Sequence, residues 1–284
     1  MTAPDLAFEI GTATRADLDV MVEWSAREGW NPGLADADCF HAADPNGFLI
    51  GRLGDEAIGC ISVVKYEPAF AFLGFYIVKP EQRGRGDGFR LWQAGMAALG
   101  NRVVGLDGVI AQQENYKKSG FVLAHRNIRF GGTPNCEAAE DARIVPISSA
   151  LLDAVIAYDR PFFPAAREAF MRCWLRPERR EVRALIEDGT LLGYGVIRPC
   201  RRGFKIGPLF ADSDERADVL FRALAAGAKG AQVFLDCPEP NRLAIDLAAR
   251  YRLAPVFETA RMYRGAAPAL PLDRIYGITT FELG

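Results

Sequence analysis

The chain has 284 residues, of which half are hydrophobic and a quarter are charged, and its 34 basic and 36 acidic side chains leave a formal charge of −2. This balance excludes a disordered or fibrous protein and gives no electrostatic argument for nucleic acid or an anionic membrane as a partner. At about 150 residues per domain, the length predicts two domains or one large one.

The cysteines and the apolar segments restrict the kind of site and the location. Six cysteines lie far apart without a CxxC pair, so we expect reduced thiols, no dithiol redox site and no bound metal. The first ten residues lack the basic start of a secretory signal. The uncharged stretch 69–78 is about half as long as a membrane helix. By elimination, we expect a cytoplasmic protein that contacts no membrane.

The first residues predict a strand followed by a helix. Residues 8–12 alternate between apolar and polar side chains as a strand does, and Thr14 is the expected N-cap of a helix over 15–27. A turn-rich stretch follows at 29–40. Alternating apolar runs separated by turn residues then predict three antiparallel strands, at 47–53, 57–66 and 69–78.

After Pro80, the spacing of the apolar residues changes from that of a strand to that of a helix. Four apolar side chains at spacings of three, four and three lie on one predicted helix face: Phe89, Trp92, Met96 and Leu99. A strand, a short helix and a final strand are predicted at 103–106, 112–119 and 121–130. The glycine-rich and polar segment 131–141 reads as a linker. We therefore expect one domain over 1–135 and a second over 136–284.

The second half repeats the first in a weak form. The segment AIGCISVV resembles the later segment LLGYGVI, and the offset between matched positions falls from 133 at Gly74 and Gly207 to 129 at Leu91 and Leu220. The second copy has therefore lost about four residues between strand and helix, which indicates a duplicated β-β-α-β unit.

The loop between strand and helix carries the strongest signal in the first copy. Residues 78–89 read VKPEQRGRGDGF, with glycine at Gly84, Gly86 and Gly88. Alternating glycines allow a tight turn that leaves backbone N–H groups free at a helix N-terminus, and such a turn binds pyrophosphate. A dinucleotide fingerprint needs glycine in place of Phe89, and the Walker motif GK[ST] is absent.

The loop matches the pattern [QR]xxGx[GA] at Arg83, Gly86 and Gly88, after a strand that ends in Val-x-Pro. At this point the sequence resembles the GNAT (Gcn5-related) N-acetyltransferase superfamily, whose loop binds the pyrophosphate of acetyl-CoA. The resemblance implies an α+β fold of two tandem GNAT-like domains, each with a mostly antiparallel, splayed mixed sheet flanked by helices. The coenzyme-binding residues that it implies are Tyr76, Ile77, Val78, Arg83, Gly84, Arg85, Gly86, Asp87, Gly88, Phe89 and Asn115.

The resemblance also suggests the general acid. Tyr116 precedes a Gly-Phe pair by four residues, as in the family, where this tyrosine lies near the coenzyme sulfur and protonates the departing thiolate. A phenol with an ordinary pKa of about 10 suits that step; the alternative is a packing tyrosine. In the family, the strand end at 76–78 pairs with the pantetheine and directs a backbone N–H at the thioester oxygen.

The acceptor side leaves several alternatives open. A base for the amine is expected among Glu67, Asp107 and His125, or in a water relay. Each of the three side chains also suits a turn, a cap or a strand surface. Trp30, Asn31 and Asp36 lie where the family places its variable substrate segment, and an indole beside a carboxylate would suit a cationic amine. A turn around a core tryptophan is the alternative.

The second half lacks the phosphate loop. Residues 208–219 read PLFADSDERADV, with acids where phosphate needs N–H groups, so a second acetyl-CoA site is not expected. Aromatic residues predict a core helix over 162–174, and Asp236 with Asn241 suits either a polar ligand pocket or a helix cap. The second half then shapes the acceptor pocket or forms an oligomer interface, for example in a homodimer.

These observations predict an acetyl-CoA-dependent N-acetyltransferase that acetylates a primary amine of a small molecule. Direct attack is expected because no cysteine stands in the motif to form a covalent intermediate. A non-catalytic acyl-CoA sensor is the alternative function. A longer acyl chain is a further alternative, which the depth of the pocket near Phe75 and Tyr76 would decide.

Overall fold

A computed structural model of the protein describes residues 7–137, 139–228 and 230–284. Its strands form one sheet: β1 (Phe8–Thr12), β2 (Phe48–Leu53), β3 (Glu56–Tyr66), β4 (Phe70–Val78), β5 (Val103–Val109), β6 (Val122–Gly132), β7 (Ile144–Pro146), β8 (Glu181–Glu187), β9 (Thr190–Pro199), β10 (Phe204–Ala211), β11 (Val233–Pro238), β12 (Ala254–Arg264) and β13 (Ile275–Gly277). The helices are α1 (Arg15–Arg27), α2 (Asp36–Ala43), α3 (Asp87–Leu99), α4 (Gln113–Lys118), α5 (Ser149–Asp159), α6 (Glu168–Trp174), α7 (Asp214–Ala226) and α8 (Arg242–Arg250).

The same strand pattern occurs twice. In the first lobe, defined as β1 to β6 with α1 to α4, β2, β3 and β4 are antiparallel and β4 pairs in parallel with β5. In the second lobe, which holds the remaining elements, β8, β9 and β10 are antiparallel and β10 pairs in parallel with β11. Helices α3 and α7 follow the matching strands β4 and β10. The predicted mixed α+β fold and its duplication are confirmed.

The two lobes exchange one strand each. The sheet runs in the order β5-β12-β6-β11, so that β12 of the second lobe lies between β5 and β6 of the first. Strand β6 in turn pairs with β11 of the second lobe. Each lobe is therefore completed by a strand of the other, and the two form one continuous sheet. The domain boundary expected after residue 135 lies in the connection between β6 and β7, and it stays a prediction.

The elements near the N-terminus show what local sequence can and cannot predict. Thr14 accepts a hydrogen bond from the Asp17 N–H and completes a capping box at α1, as expected. Helix α2 was not expected, because its segment reads as turns. Its buried residues Cys39 and Phe40 pack against α6 of the second lobe, where Phe40 stacks on Trp174. Tertiary packing thus stabilises this helix.

Two cysteines correct the expectation of reduced thiols. Cys39 of α2 and Cys173 of α6 form a disulfide with a Cα–Cα distance of 5.2 Å, so the bond links the lobes. In the described part of the chain, no three His, Cys, Asp or Glu side chains are grouped as metal ligands would be. None of the helices among the described residues combines the length and hydropathy needed to cross a bilayer.

The C-terminal tail, residues 278–284, runs between the lobes. It follows β13, which pairs with β10. A Cβ atom on Gly207 would lie 2.7 Å from the carbonyl oxygens of Ile278 and Thr279, and one on Gly74 would lie 2.2 Å from the carbonyl oxygen of Glu282. The two matched glycines of β4 and β10 therefore let the tail approach both strands closely.

Candidate active site

Strand β4 is bulged and splayed from its neighbour. Cys60 pairs with Ile77 but Ser62 pairs with Gly74, so Phe75 and Tyr76 together oppose a single residue of β3. Phe75 has a φ of +47°, in the left-handed region. Parallel pairing between β4 and β5 ends at Leu73, and both strands continue beyond it. Their ends therefore separate and open a crevice.

A cavity of about 560 Å³ occupies this crevice. Its walls come from β4, β5, the glycine loop, α4 and the segment before α2, and from β12 and the C-terminal tail of the second lobe. Among the residues lining it are Glu28, Trp30, Phe75, Tyr76, Ile77, Val78, Gln82, Arg83, Gly84, Gly86, Gly88, Phe89, Asp107, Gly108, Gln112, Tyr116, Phe257, Thr259, Phe281 and Glu282. Both lobes thus build the site.

The glycine loop needs its glycines for two different reasons. Gly84 and Gly86 have φ values of +82° and +89°, and an added Cβ would meet no atom within 4 Å. Backbone conformation therefore requires glycine there. Gly88 instead packs closely, since its Cβ would lie 3.0 Å from Val78 and 3.2 Å from the Tyr76 hydroxyl. Gly86 is the N-cap of α3 and brings no side chain to accept bonds from the first helical N–H groups.

Side-chain hydrogen bonds fix the loop against the end of β4. The Tyr76 hydroxyl donates to the Gly88 carbonyl at 2.8 Å. The Arg83 Nε donates to the Val78 carbonyl at 2.9 Å, and the same guanidinium pairs with Glu28. These bonds hold the first turn of α3 over the bulged strand, beside the cavity that Gly86 and Gly88 line.

Tyr116 lies on α4 at the wall of the cavity and is 8% exposed. Its ring fits against Gly108 of β5, where a Cβ would lie 2.2 Å from the ring, and stands 5.7 Å from the Trp92 ring. Burial, with a smaller contribution from Tyr76, raises the pKa of Tyr116 to about 12. The phenol therefore keeps its proton at neutral pH.

Of the three residues expected near the acceptor, Trp30 lines the cavity, and its carbonyl accepts a bond from Arg129 at 2.6 Å. The Asn31 side chain instead binds the backbone of Arg202. Asp36 is fully buried outside the cavity. Asn31 and Asp36 thus hold this segment against the second lobe.

The ionic partners of Asp36 explain why it is not a surface carboxylate. Arg180 and Arg198 each bind it at 3.1 Å, and the Gly33 N–H donates at 2.9 Å. Burial by itself raises the pKa of this carboxyl, but the guanidinium groups of Arg198 and Arg180 outweigh it and lower the pKa. The charge is therefore already neutralised by the second lobe.

Asp107 lines the cavity, but its carboxylate is already occupied. Arg261 of β12 binds both oxygens, at 2.9 and 2.6 Å, and the Asn127 amide donates to one of them at 2.7 Å. A carboxylate held by a bidentate guanidinium has both oxygens engaged in charge-assisted hydrogen bonds. Asp107 therefore ties β5 to the exchanged strand.

Neither of the other two base candidates lies in the cavity. Burial and the charge of Arg261 lower the pKa of His125 to about 4, so its imidazole is neutral and weakly basic at pH 7. The Glu67 carboxylate accepts a hydrogen bond from the Ala166 N–H at 3.1 Å. Neither residue lines the cavity walls.

Three residues assigned to the coenzyme flank the cavity without lining it: Arg85, Asp87 and Asn115. The Asn115 amide donates to Gln112 at 2.7 Å. In the second half, Asn241 caps α8 by accepting from the Ala244 N–H at 3.2 Å, and Asp236 binds Arg129 through both oxygens. The capping alternative is confirmed for Asn241.

Sequence reasoning missed the residues that the second lobe supplies. Phe257 and Thr259 reach the cavity on β12, and Phe281 and Glu282 reach it on the C-terminal tail. Strand exchange leaves no periodic trace, so β12 could not be assigned to the first lobe. The tail does carry a signal, because ITTFELG holds one carboxylate in an otherwise uncharged segment.

Comparisons with known proteins agree with this arrangement. The acetyltransferase (GNAT) family matches residues 16–121 and an acetyltransferase (GNAT) domain matches residues 155–277. The chain is 33% identical over 273 residues to the holothin acyltransferase of Pseudoalteromonas sp. strain SANK 73390, covering 96% of this chain and 93% of that protein.

Solved structures show the same fold. A Pyrococcus horikoshii protein assigned as an acetyltransferase superposes with a TM-score of 0.81 at 23% identity, over 100% of this chain and 99% of that chain. A tandem GNAT protein from the clavulanic acid biosynthesis pathway superposes with a TM-score of 0.64 at 15% identity, over 93% of this chain and 100% of that chain. The chain therefore belongs to the GNAT acetyltransferase family, as a tandem acyltransferase built from two GNAT domains.

Proposed function

We propose that this protein transfers an acetyl group from acetyl-CoA to the primary amine of a small molecule by direct attack. The observation that carries the proposal is one cavity shared by an open glycine loop, a bulged strand end and a buried tyrosine. These are the parts needed to bind a pyrophosphate, to hold a thioester and to return a proton to sulfur.

The glycine loop supplies the coenzyme site. Free N–H groups at Gly86 and the first turn of α3, together with the positive end of the helix, attract the pyrophosphate. The Arg83 guanidinium, which pairs with Glu28, is half exposed beside them and has further N–H groups to donate. The pantetheine would then follow the unpaired end of β4, where residues after Leu73 have no partner on β5.

The bulge supplies a donor for the reacting carbonyl. Phe75 and Tyr76 depart from the regular ladder at the point where β4 and β5 separate, and we assign the donor to a backbone N–H of this bulge. An N–H fixed by the strand is already oriented before reaction, so it can stabilise the oxyanion that forms as the amine attacks. Among the cavity-lining residues there is no cysteine to form a covalent acyl intermediate.

Tyr116 is the proposed proton donor to the thiolate. Its raised pKa keeps the hydroxyl protonated across the neutral range, so the acid form is present at every turnover. The cavity wall of Trp30, Phe257 and Phe281 around the acceptor side suits a small amine with an apolar body. The name of the Pseudoalteromonas relative supports acyl transfer as such, and acetyl over a longer acyl group is our proposal.

The test is calorimetric titration with acetyl-CoA, with desulfo-CoA and NADH as controls, followed by turnover. We expect one acetyl-CoA site per chain and thiol release with at least one of benzylamine, tyramine, histamine and putrescine. Hexanoyl-CoA in the same assay tests the acyl length. Binding without turnover beyond background hydrolysis would favour a sensor, and no binding would remove the loop assignment.

A further inference from the structure

The C-terminal tail brings a buried carboxylate to the wall of the cavity. Glu282 is 2% exposed and lines the cavity beside Phe281. The carbonyl oxygen of Glu282 lies only 2.2 Å from the position of a Cβ on Gly74, so the tail touches β4 one residue before the bulge. This contact holds Glu282 next to the strand segment assigned to the thioester.

The two carboxylate oxygens of Glu282 differ in their partners. Oε2 accepts a hydrogen bond from the Thr280 hydroxyl. Oε1 is buried and accepts no hydrogen bond from residues 7–137, 139–228 or 230–284. An unpaired oxygen of a buried carboxylate is unfavourable, because burial removes its water and nothing replaces the lost hydrogen bond. It therefore indicates a partner that comes from outside the described chain, and the N–H group of an acceptor amine is such a donor.

Two buried cations, Arg129 of β6 and Lys205 of β10, interact electrostatically with Glu282 but bind elsewhere. The Arg129 guanidinium donates to both oxygens of Asp236, at 2.6 and 2.8 Å. Lys205 donates to the Trp30 carbonyl at 3.4 Å, and burial together with Arg129 lowers its pKa. Each cation thus has its own acceptor, and Oε1 of Glu282 remains free for a ligand.

We infer that Glu282 is a catalytic residue that binds the acceptor amine at Oε1 and takes up a proton from its nitrogen. The inference rests on the proposed acetyl transfer. In that reaction a bond forms between the amine nitrogen and the thioester carbon, and the carbon–sulfur bond breaks with its electron pair on sulfur. The amine enters in its neutral form, so its nitrogen loses one proton, to Glu282, and the sulfur gains one from Tyr116. Glu282 then releases a proton to solvent and Tyr116 takes one up, which restores both residues.

The test replaces Glu282 with glutamine, which keeps the shape of the side chain and an acceptor for Thr280 but cannot take up a proton. Glu258→Gln is the matched control, because Glu258 is partly exposed on β12 and pairs with Arg126 at 3.2 Å outside the cavity. With the best wild-type amine of the panel, we expect Glu282→Gln to lower kcat/KM by about 10²-fold or more. The acetyl-CoA Kd of both variants and the kinetics of the control should equal those of the wild type.

Glu282→Asp provides a second test that does not depend on how well the glutamine variant folds. It keeps the charge but withdraws the carboxylate by one methylene group, so we expect about a 10-fold loss of kcat/KM with unchanged acetyl-CoA affinity. Wild-type kcat/KM in folded Glu282→Gln or Glu282→Asp would overturn the inference and leave the proposed function intact. A wild-type protein that binds acetyl-CoA and acetylates no amine of the panel would overturn both.

Discussion

The two lobes share a strand pattern but differ at the N-terminus of the helix that follows it. In the first lobe α3 follows a glycine loop, its N-cap is Gly86, and no side chain among the residues that the structure describes binds its first N–H groups. In the second lobe the Ser213 hydroxyl accepts from the Arg216 N–H at 3.3 Å, and Asp214 and Glu215 occupy the first turn of α7. The side-chain cap occupies one of the first N–H groups, and the acidic first turn repels a phosphate.

The crevice beside the matching strands differs as well. Ile77 of β4 lines an open cavity, whereas Phe210, its match in β10, stacks on Phe162 at a centroid distance of 4.3 Å. Tyr194 meets the same Phe210 ring edge-on at 5.6 Å. In the second lobe, aromatic side chains thus occupy the space that is open in the first lobe.

The comparison shows that a duplicated lobe can lose its own binding site and still contribute residues to the active site of the other lobe. The second lobe gives the first-lobe cavity its β12 wall and the tail that carries Glu282. The closed crevice and the capped helix make it a rigid support for these parts. We therefore regard the second lobe as a structural component of one composite active site.

Removing an aromatic side chain that fills the second-lobe crevice tests this comparison between the lobes. Phe162 is 3% exposed, so Phe162→Ala should remove a stacked ring and lower the free energy of unfolding by about 3–5 kcal/mol, as measured in urea. Leu243→Ala is the control, since Leu243 is an exposed apolar residue of α8, and we expect a change of about 0.5 kcal/mol or less.

The Phe162→Ala variant also distinguishes two reasons why the second lobe should bind no acetyl-CoA: the filled crevice and the capped N-terminus of α7. We expect Phe162→Ala to bind one acetyl-CoA per chain in calorimetry, because Ser213 still caps α7. A stoichiometry of two would mean that the aromatic filling alone had silenced the second lobe. That result would contradict the importance we give to the helix N-terminus.

A substitution in the glycine loop tests whether this loop is what distinguishes the first lobe from the second. Gly86→Val forces a β-branched residue into a φ of +89°, so the loop should relax and lose the orientation of its N–H groups. We expect acetyl-CoA to bind about 10²-fold more weakly in calorimetry. Gly189→Val tests the same strain in a second-lobe turn, because Gly189 has a φ of +76° and open space at its Cβ. Equal affinity in a folded Gly86→Val variant would mean that the phosphates bind elsewhere.

The catalytic half of the comparison depends on Tyr116. We expect Tyr116→Phe to lower kcat about 10²-fold and to leave the acetyl-CoA Kd unchanged, because it removes one hydroxyl from a packed ring. Tyr251→Phe is a matched control in the second lobe, where the hydroxyl binds Asp218 at 2.8 Å and is remote from the cavity. Full activity of Tyr116→Phe would exclude this residue as the acid.

The sequence predicted the elements that are specified by neighbouring residues, and it missed those that depend on contacts between residues far apart in the chain. Period and turn residues placed α1, β4 and the glycine loop, because these elements are specified by neighbours in the chain. Helix α2 was missed since Phe40 is stabilised by Trp174, which lies far away in sequence. Asp36 was expected beside an amine for a related reason, because its partners Arg180 and Arg198 belong to the other lobe.

The acceptor side of the site was the least predictable part. Glu282 reaches the cavity only because the tail passes Gly74, more than two hundred residues earlier in the chain. That contact follows from the exchange of β6 and β12 between the lobes, which no local pattern encodes. The coenzyme loop, in contrast, is one continuous segment, and a continuous segment carries its own signature.

The smallest expected effect is on the pH dependence of kcat. It follows from the burial of Tyr116, which makes its pKa differ from that of an exposed tyrosine. Burial raises its pKa to about 12, and loss of its proton would remove the acid as the pH rises. With an ordinary pKa of about 10, kcat would fall by about half at pH 10. The raised value predicts that kcat stays close to its plateau at pH 10, which stopped assays of acetylated amine at saturating acetyl-CoA can check after subtraction of hydroxide hydrolysis. The Tyr116→Phe profile is the reference, because it should have no basic limb of its own. A wild-type limb centred near pH 10 that is absent from the variant would show that Tyr116 titrates as an exposed phenol in the complex.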